Sequence, residues 1–176
     1  MDKVYIETER LILRPISMFD AKSMYEYAKD EELTKYVLWE PHKNPETTLS
    51  VINNMLKKKK VVPVLAIVIK ENKKMIGTIE VMMSEEYKLN RRAELGYCIS
   101  REYWNHGYMT EAASAVMKYI KDKYDLLRIE GRYIEENVAS GRVMEKIGMQ
   151  KEGVLRKFLY IDGKPYNLVV YAKIYD

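Results

Sequence analysis

The 176-residue sequence predicts a single α/β domain, with a mixed, mostly antiparallel central sheet and helices on both faces. Three observations carry that expectation. Short runs rich in Val, Ile, Leu and Tyr are interspersed with segments of helical periodicity. Pro, Gly, Asn and Asp punctuate the junctions. No linker, repeat or shift in composition divides residues 1–176. With 47% hydrophobic residues, the chain has enough apolar bulk to bury a core, which excludes global disorder.

Thr8 to Ile16 reads as a strand, because Leu11 and Leu13 alternate with Arg10, Ile12 and Arg14 before Pro15. Ser17, with Asp20 three residues on, opens a helix whose apolar face is Ala21, Met24, Tyr25 and Ala28. Asn44-Pro45 starts a second helix, with Leu49, Ile52 and Leu56 expected inward and Lys57 to Lys60 complementing the negative end of its dipole. Val61 to Ile69, Met75 to Met83 and Arg92 to Ile99 form an expected antiparallel meander. Met109, Ala112, Ala113, Val116 and Ile120 trace a helical stripe. Leu126 to Ile134 reads as a strand, and Ala139 to Ile147 as a helix stopped by Gly148. A hairpin across Asp162-Gly163 leads into the last strand, Leu168 to Tyr175. A strand-helix-strand crossover in the second half makes its two strands parallel if they share a sheet.

Thirty Lys and Arg against twenty-six Asp and Glu give a net charge of +4, compatible with an anionic ligand. No basic recognition helix or RNA-binding signature accompanies that charge, so no specific nucleic acid is expected. Cys98 is the lone cysteine, which excludes an internal disulfide, leaves no zinc cluster and points to a reducing compartment. The longest apolar-rich run, Val61 to Ile69, is far below the roughly 20 residues that span a bilayer. The polar start MDKVYIETER has no signal-peptide apolar region, so a soluble, unprocessed cytoplasmic protein is expected.

Chemistry concentrates in two stretches. The strand ending at Ile99 runs through Ser100 to His106 into a helix opened by Gly107. The unpartnered N–H groups of such a helix start can bind a phosphate-like anion, although a glycine there also serves a plain tight turn. Further on, Asn137 and Ser140 begin another helix and by themselves read as caps.

Together with Glu7-Thr8-Glu9-Arg10-Leu11-Ile12-Leu13-Arg14-Pro15, Ile76-Gly77-Thr78-Ile79, Ala93-Glu94-Leu95-Gly96-Tyr97, Tyr103-Trp104 and Tyr160-Ile161-Asp162-Gly163, these stretches resemble the GNAT superfamily of N-acetyltransferases. The resemblance is closest to its RimJ/RimL-like branch, which acetylates ribosomal-protein N-termini, and it covers nearly the whole chain. It implies an acyl-CoA N-acyltransferase fold whose splayed parallel strand pair admits the pantetheine arm of acetyl-CoA, with no metal. The cofactor contacts it implies are Cys98, Ile99, Asn105, His106, Gly107, Tyr108, Met109, Thr110, Asn137 and Ser140. In catalysis it gives Ser140 a hydrogen bond to the departing thiolate, has Asn137 position pantetheine or the acetyl carbonyl, and has Glu94 relay the amine proton through water, with Glu80 as a rival.

The chain departs from the family pattern in places. Trp104 and Met109 replace side chains of the glycine signature, and Met144 stands where many relatives carry a tyrosine acid. Cys98 has no histidine nearby in sequence to activate it, which argues against an acetyl-cysteine intermediate. The expected reaction is direct acetyl transfer to a primary amine, foremost a protein or peptide N-terminus, with a ribosomal protein as one candidate partner. The alternatives are a small amine such as a polyamine, amino acid or aminoglycoside, and a CoA-binding module without catalysis. Acceptor recognition is expected from the first helix pair, from Tyr36 to Lys43 and from the final hairpin, including Trp39, His42, Tyr160 and Tyr166. A homo-oligomer is compatible with this reading.

Overall fold

Strands dominate the order of elements, and helices enter where the apolar period lengthens. The structure, a computed structural model, describes residues 4–58 and 61–176. Its strands are β1 (Ile6–Glu7), β2 (Leu11–Pro15), β3 (Leu65–Ile69), β4 (Met75–Met82), β5 (Arg92–Ile99), β6 (Arg128–Ile134), β7 (Gln150–Ile161) and β8 (Lys164–Ile174). Its helices are α1 (Ala21–Ala28), α2 (Glu31–Thr34), α3 (Pro45–Lys57), α4 (Glu85–Leu89), α5 (Tyr108–Tyr124) and α6 (Val138–Lys146). The strands form one sheet in the order β1-β2-β3-β4-β5-β6-β8-β7. Every neighbouring pair among the described residues is antiparallel except β5 and β6, the pair joined through α5.

β3 shows why the sheet needs cover on both sides, since all five of its residues are buried. Leu65, Ile67 and Ile69 join a core with Ala112, Val116 and Ile120 of α5 and Met144 of α6. Ala66 and Val68 point the other way, to Met24, Tyr27 and Ala28 of α1 and Ile52 of α3. Successive strand residues alternate faces, so one continuous apolar strand supplies both cores. No helix among the described residues is long and apolar enough to cross a membrane.

Several expected details shift. In α3, Leu49 and Leu56 remain 39% and 49% exposed, while Thr48 and Ile52 are buried. A polar residue takes the core position because the Thr48 hydroxyl is hydrogen-bonded to His42 Nδ1 at 2.8 Å, which satisfies both groups. In α1 the buried aromatic is Tyr27, and Tyr25 is half-buried beneath the Lys29 ammonium. The strand expected from Thr8 to Ile16 is regular only over Leu11–Pro15, because the Thr8 N–H donates to Leu11 O in a turn that follows β1, and regular pairing of β3 begins only beyond Pro63. The short helices α2 and α4 carry too few residues to show a period. Lys59 and Lys60 of the expected basic helix end lie outside the described residues; Lys57 does occupy the last turn of α3.

Local signals that involve near neighbours hold. Asn44 Oδ1 accepts the Thr47 N–H at 2.8 Å, with Pro45 at the first helical position. Asp20 accepts the Ser17 N–H at 2.8 Å and takes both arms of Arg14 at 2.8 and 2.6 Å. Burial by itself would raise the Asp20 pKa, but the Arg14 guanidinium and the Ser17 N–H outweigh it and hold the carboxyl below its ordinary value.

The parallel pair is short. β5 and β6 are in register only from Arg92 to Leu95 against Arg128 to Gly131. Beyond that point β5 stays on β4, reaching Gly77 opposite Ile99, while β6 stays on β8, reaching Leu168 opposite Ile134. The two strands therefore part. Gly77 is what lets β4 follow β5 this closely: a Cβ there would collide with the Cys98 carbonyl and come within 2.8 Å of Ile99 Cα. Gly77→Ala should cost about 2 to 3 kcal/mol by urea denaturation, as backbone overpacking does. A loss below about 0.5 kcal/mol would show that β5 yields freely.

Candidate active site

Beyond the last paired residues a gap opens between the strands, and Tyr97, Cys98 and Ile99 on its β5 side line a cavity of about 260 Å³. Its backbone edges follow from the pairing pattern. The Ser100 N–H donates to Ile76 O at 2.8 Å, so the adjacent Gly77–Ile99 pair is of the non-hydrogen-bonded kind. The N–H groups of Ile99 and, two residues back, Tyr97 therefore turn away from β4 and into the gap. By the same logic the Glu135 N–H bond to Asn167 O turns the backbone of Ile134 and Arg132 towards β5. Peptide groups of both strands thus face the gap, where an extended ligand can pair with them. Two of the carbonyls are already taken, that of Ile99 by the Trp104 indole N–H at 2.9 Å and that of Ile134 by the Asn137 N–H at 2.7 Å.

One end of the cavity is the start of α5. Asn105 and Gly107 adopt left-handed backbone, φ 63° and 77°, which swings the chain sharply into the helix. Gly107 offers no capping side chain, and the Glu111 N–H is the first to find Gly107 O, so the N–H groups of Tyr108, Met109 and Thr110 are open to an anion. Asn105, Gly107, Tyr108, Met109 and Thr110 all line the cavity. His106 does not: its Nδ1 lies 2.7 Å from Trp104 O and its ring stacks on Tyr108.

This helix start is held from a distance by residues that no local signal marks. The Thr8 hydroxyl and the Arg10 N–H donate to Glu111 Oε1 at 2.6 and 2.9 Å, and Arg10 Nε donates to Oε2 at 2.7 Å. The other end of the guanidinium reaches His106 O at 3.0 Å and stacks over the Tyr108 ring. Burial would raise the Glu111 pKa; the bonds from Thr8 and Arg10 prevail and keep it lowered. Glu111 is thus an anion in the first turn of a helix whose open N–H groups suit an anion, and Arg10 neutralises it.

The other end is the start of α6. Asn137 Oδ1 accepts the Ser140 N–H at 3.3 Å, so Asn137 does cap the helix, and both residues line the cavity. The Tyr97 hydroxyl donates to Ser140 O at 3.0 Å and lies 3.2 Å from Ser140 Oγ. Met144, where a tyrosine acid would be sought, is only 1% exposed and packs into the core. A Cβ on Gly131 would come within 2.7 Å of its terminal methyl, so the missing side chain on β6 makes the notch that Met144 fills.

Cys98 lines the cavity through its position on β5, but its side chain packs towards α1 and α3, and burial pushes the thiol up to about 12. Both histidines are engaged elsewhere, so nothing generates a thiolate there.

Glu94 lies where β5 and β6 are still paired, on the sheet face away from α5 and α6, and is not among the cavity-lining residues. Its carboxylate is 3.7 Å from Arg132 Nε, and burial raises its pKa against the pull of that arginine. Glu80, opposite Gly96, shares this face. Glu130 beside Glu94 is fully committed, bound by Arg128 at 2.8 Å and Arg132 at 2.9 Å. Of the expected acceptor residues, His42 is buried structure against Trp39, with its pKa lowered by burial, whereas Tyr160 is 76% exposed on the hairpin. Val37, within the expected segment from Tyr36 to Lys43, lines the cavity, as does Leu33 of α2, which was not named from the sequence.

Comparison with known proteins agrees with this arrangement. Residues 10–150 match the family model described as an acetyltransferase (GNAT) domain. The chain is 36% identical over 169 residues to the uncharacterized N-acetyltransferase YoaA of Bacillus subtilis (strain 168), covering 95% of this chain and 94% of that protein. It is 28% identical over 171 residues to the [ribosomal protein uS5]-alanine N-acetyltransferase of Escherichia coli (strain K12), covering 92% and 86%. Among solved structures, a GNAT-family acetyltransferase from Bacillus anthracis superposes with a TM-score of 0.87 at 28% identity, covering 97% of this chain and 98% of the other. The microcin C7 self-immunity acetyltransferase MccE, solved with acetyl-CoA and AMP, shares the fold at a TM-score of 0.85 and 20% identity, covering 96% and 94%. The chain belongs to the GNAT acetyltransferases and is an acetyl-CoA-dependent N-acetyltransferase.

The open backbone rows and the bare start of α5 suit the pantetheine amides and the pyrophosphate of that cosubstrate. Gly107→Val, strained at positive φ and bulky at the cradle, should abolish acetyl-CoA binding in calorimetry. Arg10→Met, which releases His106 and unmasks the Glu111 charge, should weaken binding about tenfold, roughly 1.4 kcal/mol. Parental affinity in either folded variant would contradict the assigned cradle.

Proposed function

We propose that the enzyme acetylates a primary α-amine, a protein or peptide N-terminus, by direct transfer within a ternary complex. The observation that carries this reading is the lack of a strong base lining the cavity among the described residues. Glu94 acts only through water, both histidines are engaged elsewhere, and the tyrosine position holds a buried methionine.

A weak base favours an acceptor that is already partly neutral. An α-amine has a pKa of about 7.7 to 8.0 and a lysine side chain about 10.4. At pH 7 the neutral fractions are roughly a tenth to a sixth against about 0.04%, a gap of about 3.5 kcal/mol. Burial of Glu94 raises its pKa and so makes it a better acceptor of a relayed proton than an ordinary carboxylate, without matching an amine.

The proposed roles follow the geometry. The Ile99 N–H, facing the gap, polarises the thioester carbonyl. Asn137 holds the turn that presents Ser140, whose hydroxyl hydrogen-bonds the sulfur as charge develops on it. Because a thiol near pKa 8.5 is a tolerable leaving group, a hydrogen bond suffices where relatives use an acid. Similarity to the uS5-alanine N-acetyltransferase supports a ribosomal-protein N-terminus as one acceptor to test.

Thiol release should be at least tenfold faster with a free-N-terminus peptide than with its N-blocked, lysine-containing counterpart. With the free peptide, kcat/KM should climb with pH and level off near the α-amine pKa, because deprotonation creates the nucleophile. A clear preference for the blocked lysine peptide would sink the α-amine assignment.

A further inference from the structure

We propose that Tyr97 is a positioning residue for Ser140, holding the serine across the mouth of the cleft while leaving its hydroxyl available to the leaving sulfur. This rests on the acetyl-transfer reading above and adds to it a residue that Asn137, Ser140 and Glu94 do not include.

The two contacts between these side chains are unequal. Tyr97 has one hydroxyl hydrogen, and it goes to the Ser140 carbonyl at 3.0 Å. The Ser140 hydrogen then has the phenol oxygen as its acceptor, at 3.2 Å, beyond the usual range for a bond between hydroxyls. The firmer bond fixes the backbone of Ser140; the longer one only parks its hydroxyl. A thiolate forming in the cavity is a better acceptor than a neutral phenol oxygen, so the serine hydrogen can swing to sulfur without disturbing the bond that holds the residue.

Position in the fold makes this bond mechanically important. Tyr97 lies two residues beyond the last β5–β6 pair, Leu95 with Gly131, and Ser140 lies on α6, which follows β6. The contact therefore ties the two diverging sides together where the sheet no longer does. Burial pushes the Tyr97 phenol up to about 12, far above a thiol near 8.5, so the phenol keeps its proton throughout. The step then balances as follows: the amine nitrogen forms the C–N bond, the C–S bond breaks with its electron pair on sulfur, and the surplus amine proton passes to water. Ser140 and Tyr97 each keep their own hydrogen, and CoA leaves as a thiolate that is protonated in solution.

The test is a cycle of Tyr97→Phe, Ser140→Ala and the double variant, read as thiol release with a free-N-terminus peptide and as acetyl-CoA affinity by calorimetry. Tyr97→Phe should lower kcat about tenfold while KM and Kd for acetyl-CoA stay within about twofold. In the Ser140→Ala background the same substitution should cost less than about twofold, because its only route to the chemistry has been removed. Parental kcat in Tyr97→Phe, losses that multiply, or a raised KM with unchanged kcat would each overturn the assignment. If the wild type acetylates neither peptide, the acceptor assignment fails on its own, and the same cycle is read on the slow hydrolysis of acetyl-CoA, where water replaces the amine and the sulfur still departs.

Discussion

The parting of β5 from β6 after Leu95 and Gly131 is the constraint on which the rest of the site depends. A sheet tends to keep its peptide groups paired, because an unpaired buried amide is costly. Here each strand is held by its outer neighbour, β4 on one side and β8 on the other, and the inner rows are left for a ligand. The same separation exposes the Ile99 N–H and opens the space into which the starts of α5 and α6 project. The proposed binding and catalytic roles both draw on one interruption of the ladder.

Holding such an interruption open takes contacts on several sides. Gly77 lets β4 press against the backbone of Cys98 and Ile99, and Gly131 lets Met144 of α6 sit down on β6. Trp104 takes the Ile99 carbonyl, and Tyr97 bridges to Ser140. At the start of α5, Arg10 and Thr8 reach from the start of the chain to Glu111, fixing the first turn of the helix and cancelling a charge that would oppose an anion. The bonds to Glu111 join segments about a hundred positions apart, so the cleft is complete only when the whole sheet is assembled.

The sheet also separates two kinds of chemistry. The cavity side carries hydroxyls and open N–H groups and, among the described residues, no strong base. The opposite face, beyond the cover of α1, carries Glu94 and Glu130 in a ladder with Arg132 and Arg128 that ends on Glu152. Glu94 is the member with the loosest partner, at 3.7 Å, which is why burial rather than pairing sets the direction of its pKa.

Much of this was legible in the order of residues. Periodicity located the long helices and most strands, because burial on one face imposes a period on a regular backbone. Caps at Asn44 and Ser17 and the bare glycine at the start of α5 could be read because each involves atoms within a few residues of one another. Asn105, Gly107 to Thr110, Asn137 and Ser140 were identified through motif resemblance, and the fold gathers them around one cavity. What the sequence alone could not decide is which side chains meet across the sheet. Thr48 rather than Leu49 enters the core because His42 happens to satisfy it, His106 turns to Trp104, and Glu94 lies on the far face. Arg10 finds Glu111, and Tyr97 finds Ser140, only after folding. Local geometry depends on neighbours in the chain, and so the sequence determines it; partners set by strand register and by which face a residue occupies exist only in the tertiary structure.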